Sequence, residues 1–305
     1  MSADMSISVV IPTICRSSVR RAVESALRQS LPPAEVIVVV DAGDEPDVPD
    51  SADVRVLRTP GRVGTSLAKH IGIEAARGNV IAFLDDDDVW HLDKLEVQLA
   101  AAPLDGEWIM SCRFLVHEEG REPVVGPRTL IEPQEPIAPY LFEMRSRRGF
   151  SMIPTPTLVF PRAVADQVPM SVAAGSIHDD PKWLIEVRRS FPNIPIIQVP
   201  EPLVDIMWSP LSLSRSGVDR SEELIEWGIR ELADEPKRVR GDYMLTSPVT
   251  PALAAGSLRG IVRSIAAGVR FGRPGLLAWA SVLKSLLRLG LGRIRSVVTG
   301  MAKKR

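Results

Sequence analysis

The sequence predicts an α/β fold: a mostly parallel central sheet flanked by helices, followed by a basic helical extension. Three observations predict it. Short β-branched runs alternate with helix-period segments over the first 90 residues. The runs end in Pro or Asp, and turn residues separate them from the helices. The last 49 residues carry eleven Lys and Arg but no Asp or Glu, which leaves −12 on the first 256.

Residues 7–11 (ISVVI) read as a buried strand that Pro12 ends. Residues 18–30 place Val19, Ala22, Val23, Ala26 and Leu27 at helical spacing, with Pro32 and Pro33 as a stop. Residues 35–40 (EVIVVV) are a second buried strand with a turn at 41–44, and residues 53–57 (DVRVL) a third. Residues 66–77 read as a helix that Gly78 closes at a C′ position. Residues 79–84 (NVIAFL) are a fourth strand, running straight into Asp85, Asp86, Asp87 and Asp88. This order gives a Rossmann-like parallel sheet covered by helices. Further on, residues 157–160 (TLVF) read as a strand, and residues 181–189 and 221–233 as helices. Residues 103–152, rich in Pro, Gly and charge, show no clear period.

Composition is that of a soluble globular chain, with 45% apolar and 25% charged residues. Cys15 and Cys112 form neither a disulfide framework nor a zinc pair. The start lacks the basic and apolar regions of a signal peptide, and the longest apolar run of the tail, 275–283, is too short to span a membrane. The expectation is a cytoplasmic protein. Nucleic-acid binding is not expected, because the basic residues follow no known module.

In open α/β sheets ligands bind beyond the carboxyl ends of the strands. Thr13, Asp41 and the cluster 85–88 all fall there. A run of four carboxylates is either a solvated turn or a site. Strand alternation would point Asp85 and Asp87 one way and Asp86 the other, and two hard oxygen ligands suit Mg²⁺ or Mn²⁺. Asp179 and Asp180, before Pro181, form a second acidic site at a helix start, where helix capping is the competing reading.

The segments VVIPT (9–13), EVIVVVDAGD (35–44), GTSLAKHIGIEAARGNVIAFLDDDD (64–88) and HDDPKW (178–183) resemble the family-2 glycosyltransferases of the GT-A fold. The resemblance covers residues 7–100 well and 150–215 more loosely. It implies a nucleotide-sugar-binding half at 1–100 and an acceptor-binding half at 101–235, which leaves the basic amphipathic tail, read from charge and period, at 236–305. It also implies inverting sugar transfer from a nucleotide-diphospho-sugar to a hydroxyl of a glycan or lipid-linked acceptor. Asp87 would hold the Mn²⁺ or Mg²⁺ that bridges the diphosphate. Asp85 would reach the ribose or the metal, and Asp86 falls within the same motif. Pro12 and Thr13 would meet the nucleoside, and Asp41 the base or ribose. Lys69 would face the diphosphate; Lys69 and His70 stand where the family often has Arg-Asn, so the guanidinium fork is lost. Asp180, or else Asp179, would be the base. Trp183 is either an acceptor contact or core, and Arg215 a phosphate contact. The segment 208–215 lacks the His that many members carry near Ser209. The competing readings are a degenerate member that binds nucleotide or partner without turnover, and a nucleotidyltransferase. For the latter, residues 11–16 lack a glycine-rich phosphate loop.

In the tail, Leu276, Trp279, Leu283, Leu286 and Leu287 share one helical stripe, and Lys284 and Arg288 another. The segment 257–269 sets Arg259, Arg263 and Arg270 opposite Ile261, Val262 and Ile265. Such helices either lie on an anionic membrane surface, here the inner face of the cell membrane, or pack as a hairpin on the protein.

Overall fold

A computed structural model describes residues 5–145, 151–170, 177–208 and 218–287. The chain divides into two compact units, Met1–Leu141 with Gly149–Ser209, and Phe142–Arg148 with Pro210–Arg305.

The first unit is a nine-stranded sheet among the described residues. Its parallel core is β3 (Val54–Arg58), β2 (Glu35–Val40), β1 (Ile7–Thr13) and β4 (Val80–Phe83), in that spatial order. The four runs expected from 7–11, 35–40, 53–57 and 79–84 are these strands. β1, β2 and β4 are buried at every position, as expected of strands covered on both faces. α1 (Val19–Leu27) buries Val19, Ala22, Val23 and Ala26. α2 (Thr65–Ala75) lies against β1 and β2, and a Cβ on its Gly72 would meet Val10 Cγ1 at 2.3 Å.

β1 continues through Pro12 to Thr13 rather than ending at the proline. Leu84 N–H donates to Val10 O on the β4 side, whereas Asp41 N–H donates to Thr13 O on the β2 side. Pro12 shares the orientation of Val10, so its missing N–H faces β4 beyond the last pair, Val10 with Phe83. The proline therefore interrupts no ladder. Gly78 also differs from expectation. α2 ends at Ala75 and Ala76 is already extended, so no left-handed C′ closes it. A Cβ at Gly78 would meet Ser6 O at 2.4 Å and Ser8 N at 2.8 Å, so glycine is required by a close backbone approach.

β8 (Val159–Pro161) runs antiparallel to β4 and links the core to β6 (Ile109–Glu118), β9 (Ile196–Trp208) and the short β5 (Val89–Trp90). β7 (Val124–Gly126) pairs with β6. β6 and β9 were not legible. β9 contains Pro200 and Pro202, and the register shifts between Cys112 and Leu115, opposite these prolines. α3 (Lys94–Ala100) follows β5, and α4 (Ile137–Phe142), α5 (Arg162–Gln167) and α6 (Asp179–Ser190) complete the helices of this region.

Lys94 is fully buried, and its Nζ has no hydrogen-bond partner among the described residues. It lies 4.0 Å from the centre of the Trp90 ring. Burial pushes the ammonium down to about 7. Between pH 7 and the unfolded value near 10.5, the unfolded chain binds more protons, so this group makes stability rise with pH. Lys94→Met should stabilise the fold by about 1 kcal/mol or more at and below pH 7, because a lone buried charge is removed. The gain should shrink toward pH 10, as urea denaturation across that range would measure.

The second unit is helical. It contains α7 (Ser221–Glu231), α8 (Lys237–Thr246), α9 (Val249–Ala254), α10 (Leu258–Phe271) and α11, helical over residues 276–287. Its centre is the edge-to-face packing of Tyr243 and Trp227 on Phe142, at 5.0 and 5.8 Å between ring centroids. α10 turns Ile261, Ser264, Ala267 and Gly268 inward and leaves Val262 exposed, which splits the apolar face read from sequence.

Candidate active site

The site is built at the carboxyl ends of β1, β2 and β4, within the first unit. β4 ends at Phe83, and residues 85–88 form a turn in which Asp88 N–H donates to Asp85 O at 3.2 Å. Strand alternation therefore does not sort the four carboxylates. Each has its own surroundings.

Asp86 is buried and accepts from Thr13 Oγ1 at 2.6 Å. Arg16, in the loop after β1, places Nη1 2.7 Å from Asp86 and 2.9 Å from Asp87. Asp86 thus faces the carboxyl end of β1 through Thr13, and it shares one guanidinium with Asp87. Burial raises the Asp87 carboxyl above its ordinary value, and Arg16 works against that rise. Asp88 is buried and accepts from Met207 N at 3.0 Å; burial, with the charge of Asp85, pushes it up to about 9.

Asp85 faces a different group. Lys69, on α2, is 3% exposed and donates to Asp180 Oδ1 at 2.7 Å and to Thr155 Oγ1 at 3.1 Å. Thr155 in turn donates to the other oxygen of Asp180. Burial opposes the charge on Lys69, but Asp180, Asp85 and Asp179 outweigh it and hold the ammonium above its ordinary value. Burial pushes Asp85 up to about 7, with Lys69 opposing and Asp180 reinforcing the rise.

Asp179 and Asp180 both sit in the first turn of α6, whose N-cap is His178 at φ 55°. His178 makes no side-chain cap hydrogen bond, and the two oxygens of Asp180 accept from Lys69 and Thr155. Their negative charge still suits the helix N-terminus. Burial raises Asp179 above its ordinary value. Trp183 lies on the same helix but is 1% exposed. It donates its indole N–H to Val168 O at 2.7 Å and packs on Phe160 at 4.8 Å, a core position.

Asp41 spends both oxygens on the chain itself. It accepts from Thr59 Oγ1 at 2.6 Å and from Val63 N and Gly64 N at 2.8 Å each, so it fixes the loop that enters α2. Cys15 is half-buried with φ 64°, and its N–H donates to Thr13 Oγ1 at 2.9 Å. Arg215 and most of the 208–215 segment lie outside the described residues.

No three His, Cys, Asp or Glu side chains among the described residues form a ready metal cage. The donor set nonetheless fits a hard divalent ion. Mg²⁺ and Mn²⁺ take one or two carboxylates and complete their shell with phosphate oxygens and water. Asp87 is the carboxylate of the turn open enough for this, with 31% of its side chain exposed. A divalent ion there would favour the ionised form of the desolvated carboxylates around it.

Arg16 and Thr155 escaped the sequence reading. The weak signal for Arg16 is its position three residues past Thr13. Thr155 sits in a Pro-Thr-Pro-Thr run that carries no chemical pattern.

The sequence profile of glycosyl transferase family 2 matches residues 8–163. The amylovoran biosynthesis glycosyltransferase AmsB of Erwinia amylovora is 29% identical over 180 residues, 54% of this chain and 58% of AmsB. The chain therefore spans just over half of that relative. Among solved structures, S. aureus TarS 1-349 in complex with UDP-GlcNAc superposes with a TM-score of 0.52 at 14% identity, covering 88% of this chain and 74% of TarS 1-349. The mannosyltransferase PcManGT from Pyrobaculum calidifontis, in complex with GDP-Man and Mn²⁺, gives 0.53 at 15% identity, covering 98% and 84%. At such identities these two show a shared fold, the α/β sheet flanked by helices.

Proposed function

The chain belongs to glycosyl transferase family 2, and from that premise we propose that it transfers a sugar from a nucleotide-diphospho-sugar to a hydroxyl acceptor with inversion at the anomeric carbon. The observation that carries this reading is the meeting of Lys69, Asp85 and Asp180 beside the Asp87 turn. A cation, a diphosphate-side acidic turn and a second carboxylate are the parts that a single displacement requires. The acceptor oxygen attacks the anomeric carbon while the bond to the diphosphate breaks, and the acceptor proton passes to Asp180, or to Asp179. Lys69 holds Asp180 at rest through their 2.7 Å ion pair. When the diphosphate arrives, Lys69 turns its charge toward the leaving group, where negative charge grows in the transition state.

Asp87, with Asp85, would hold Mn²⁺ or Mg²⁺, which when bound supplies Lewis-acid stabilisation of the diphosphate. Arg16 moves from Asp87 to a phosphate oxygen. Thr13, Pro12 and Asp86 face the nucleoside, and Asp41 acts through the 59–64 loop. Trp183 acts by anchoring α6. The fold shared with proteins solved with UDP-GlcNAc or GDP-Man and Mn²⁺ supports such a donor. The likeness to an amylovoran biosynthesis glycosyltransferase supports a glycan acceptor.

Hydrolysis and transfer of UDP- and GDP-sugars with Mn²⁺ test the reading against Asp87→Ala and Asp180→Ala. If both variants match the wild type, it is wrong. Tight nucleotide binding without turnover in the wild type would instead identify a non-catalytic binder.

A further inference from the structure

The helical unit packs the basic tail by its small residues and leaves the large apolar ones outside. α11 buries Ala278 and Val282, and Gly275 before it donates its N–H to the buried Asp242 at 2.7 Å. A Cβ at Gly275 would meet the Arg238 guanidinium at 1.9 Å, so glycine sets how closely α11 approaches α8. The other face of α11 carries Leu276 at 87% exposure, Leu283 and Leu287 at 60% each, and Trp279 at 38%. These four fall at i, i+3, i+7 and i+11, one stripe of a helix. α10 repeats the pattern: its inward face is Ile261, Ser264, Ala267 and Gly268, while Leu258, Val262 and Val269 stay exposed.

An apolar stripe of this size needs an occupant. Charge selects it. Exposed Arg259, Arg270, Arg273 and Lys284 flank the two stripes, and the last 49 residues contain no acid. A second copy meeting the same face would bring like charges together, because a two-fold interface pairs a patch with itself. No helix among the described residues is long and apolar enough to cross a membrane. We propose that α10 and α11 form a folded platform that lies on an anionic lipid surface. The leucines and Trp279 enter the headgroup boundary, and the Arg and Lys head groups snorkel to the phosphates. The anchor is thus a rigid face of the helical unit rather than a tail peeled from it. The proposal stands independently of sugar transfer.

Co-sedimentation of the full chain with phosphatidylcholine vesicles, with and without one third phosphatidylglycerol, tests it. Binding should be confined to the anionic vesicles and weaken as salt rises. Leu283→Glu with Leu287→Glu should weaken binding by about tenfold or more. Arg259→Gln with Arg270→Gln and Arg273→Gln should weaken it by roughly a hundredfold, from about 1 kcal/mol per basic residue. The arginine set touches exposed side chains only, so it keeps the test decisive if the leucine variant folds poorly. Equal binding to neutral vesicles, or no loss in either set, overturns the proposal. So does a concentration-dependent dimer that the leucine variant abolishes, which would assign the stripe to a second copy.

Discussion

Asp180→Asn should lower sugar transfer by about 10²–10⁴-fold while leaving donor affinity within a few-fold. Asparagine keeps the shape and can still accept from Thr155, but it cannot take the acceptor's proton. The loss should therefore appear in kcat and not in donor Kd. Asp179→Asn serves as the control. If that variant carries the kcat loss instead, the base is Asp179. Stability should also fall, because Lys69 is buried and loses its closest counter-charge. Breaking a buried pair costs about 3–5 kcal/mol, and the nearby Asp85 should hold the loss to the lower end. Urea denaturation read beside kinetics separates the two effects. A variant with wild-type kcat would remove Asp180 from the chemistry.

The second large effect is expected in the helical unit, at a residue with no part in the proposed chemistry. Asp242 is fully buried in the helical unit, and its carboxylate joins three segments. Oδ2 accepts from Met144 N at 3.0 Å and Arg238 Nε at 2.7 Å, and Oδ1 from Gly275 N at 2.7 Å. Asp242→Ala leaves two backbone donors and a guanidinium without their acceptor, at a cost of about 3–5 kcal/mol. Asp242→Asn, which retains one acceptor oxygen, should cost less. Hydrogen exchange would show the loss first in residues 142–145 and 275–287, the segments this carboxylate ties to α8. A loss under about 1 kcal/mol would mean that water replaces the carboxylate without penalty.

The two carboxylates differ in how well the sequence announces them. Asp180 stood beside a proline at a helix start, within a segment of family likeness. Asp242 sits mid-helix between Gly241 and Tyr243, where an acid reads as a solvated position. Its three partners lie 4, 33 and 98 residues away. The same contrast runs through the sheet. β1, β2 and β4 are short runs dominated by apolar, mostly β-branched residues, and their burial follows from that composition. β6 and β9 pair through a register that shifts opposite Pro200 and Pro202, so neither strand shows a clean period.

Taken alone, the sequence determined the alternating order of strands and helices, the strand ends where a ligand would sit, the acidic turn and the separate basic tail. Period and burial are local properties, and the chain writes them locally. Tertiary structure decided which partner each charge receives. Asp86 and Asp87 share Arg16, whereas Asp85 joins Lys69 and Asp180 across the sheet. Asp41 turns inward to hold a loop. In the tail, the leucine stripe, which the sequence left open between a membrane face and a packing face, stays outside, because glycine and alanine let α11 approach α8 more closely than leucine would. The energy of a buried charge or a close helix contact depends on atoms that arrive from distant segments, and no local pattern carries that information.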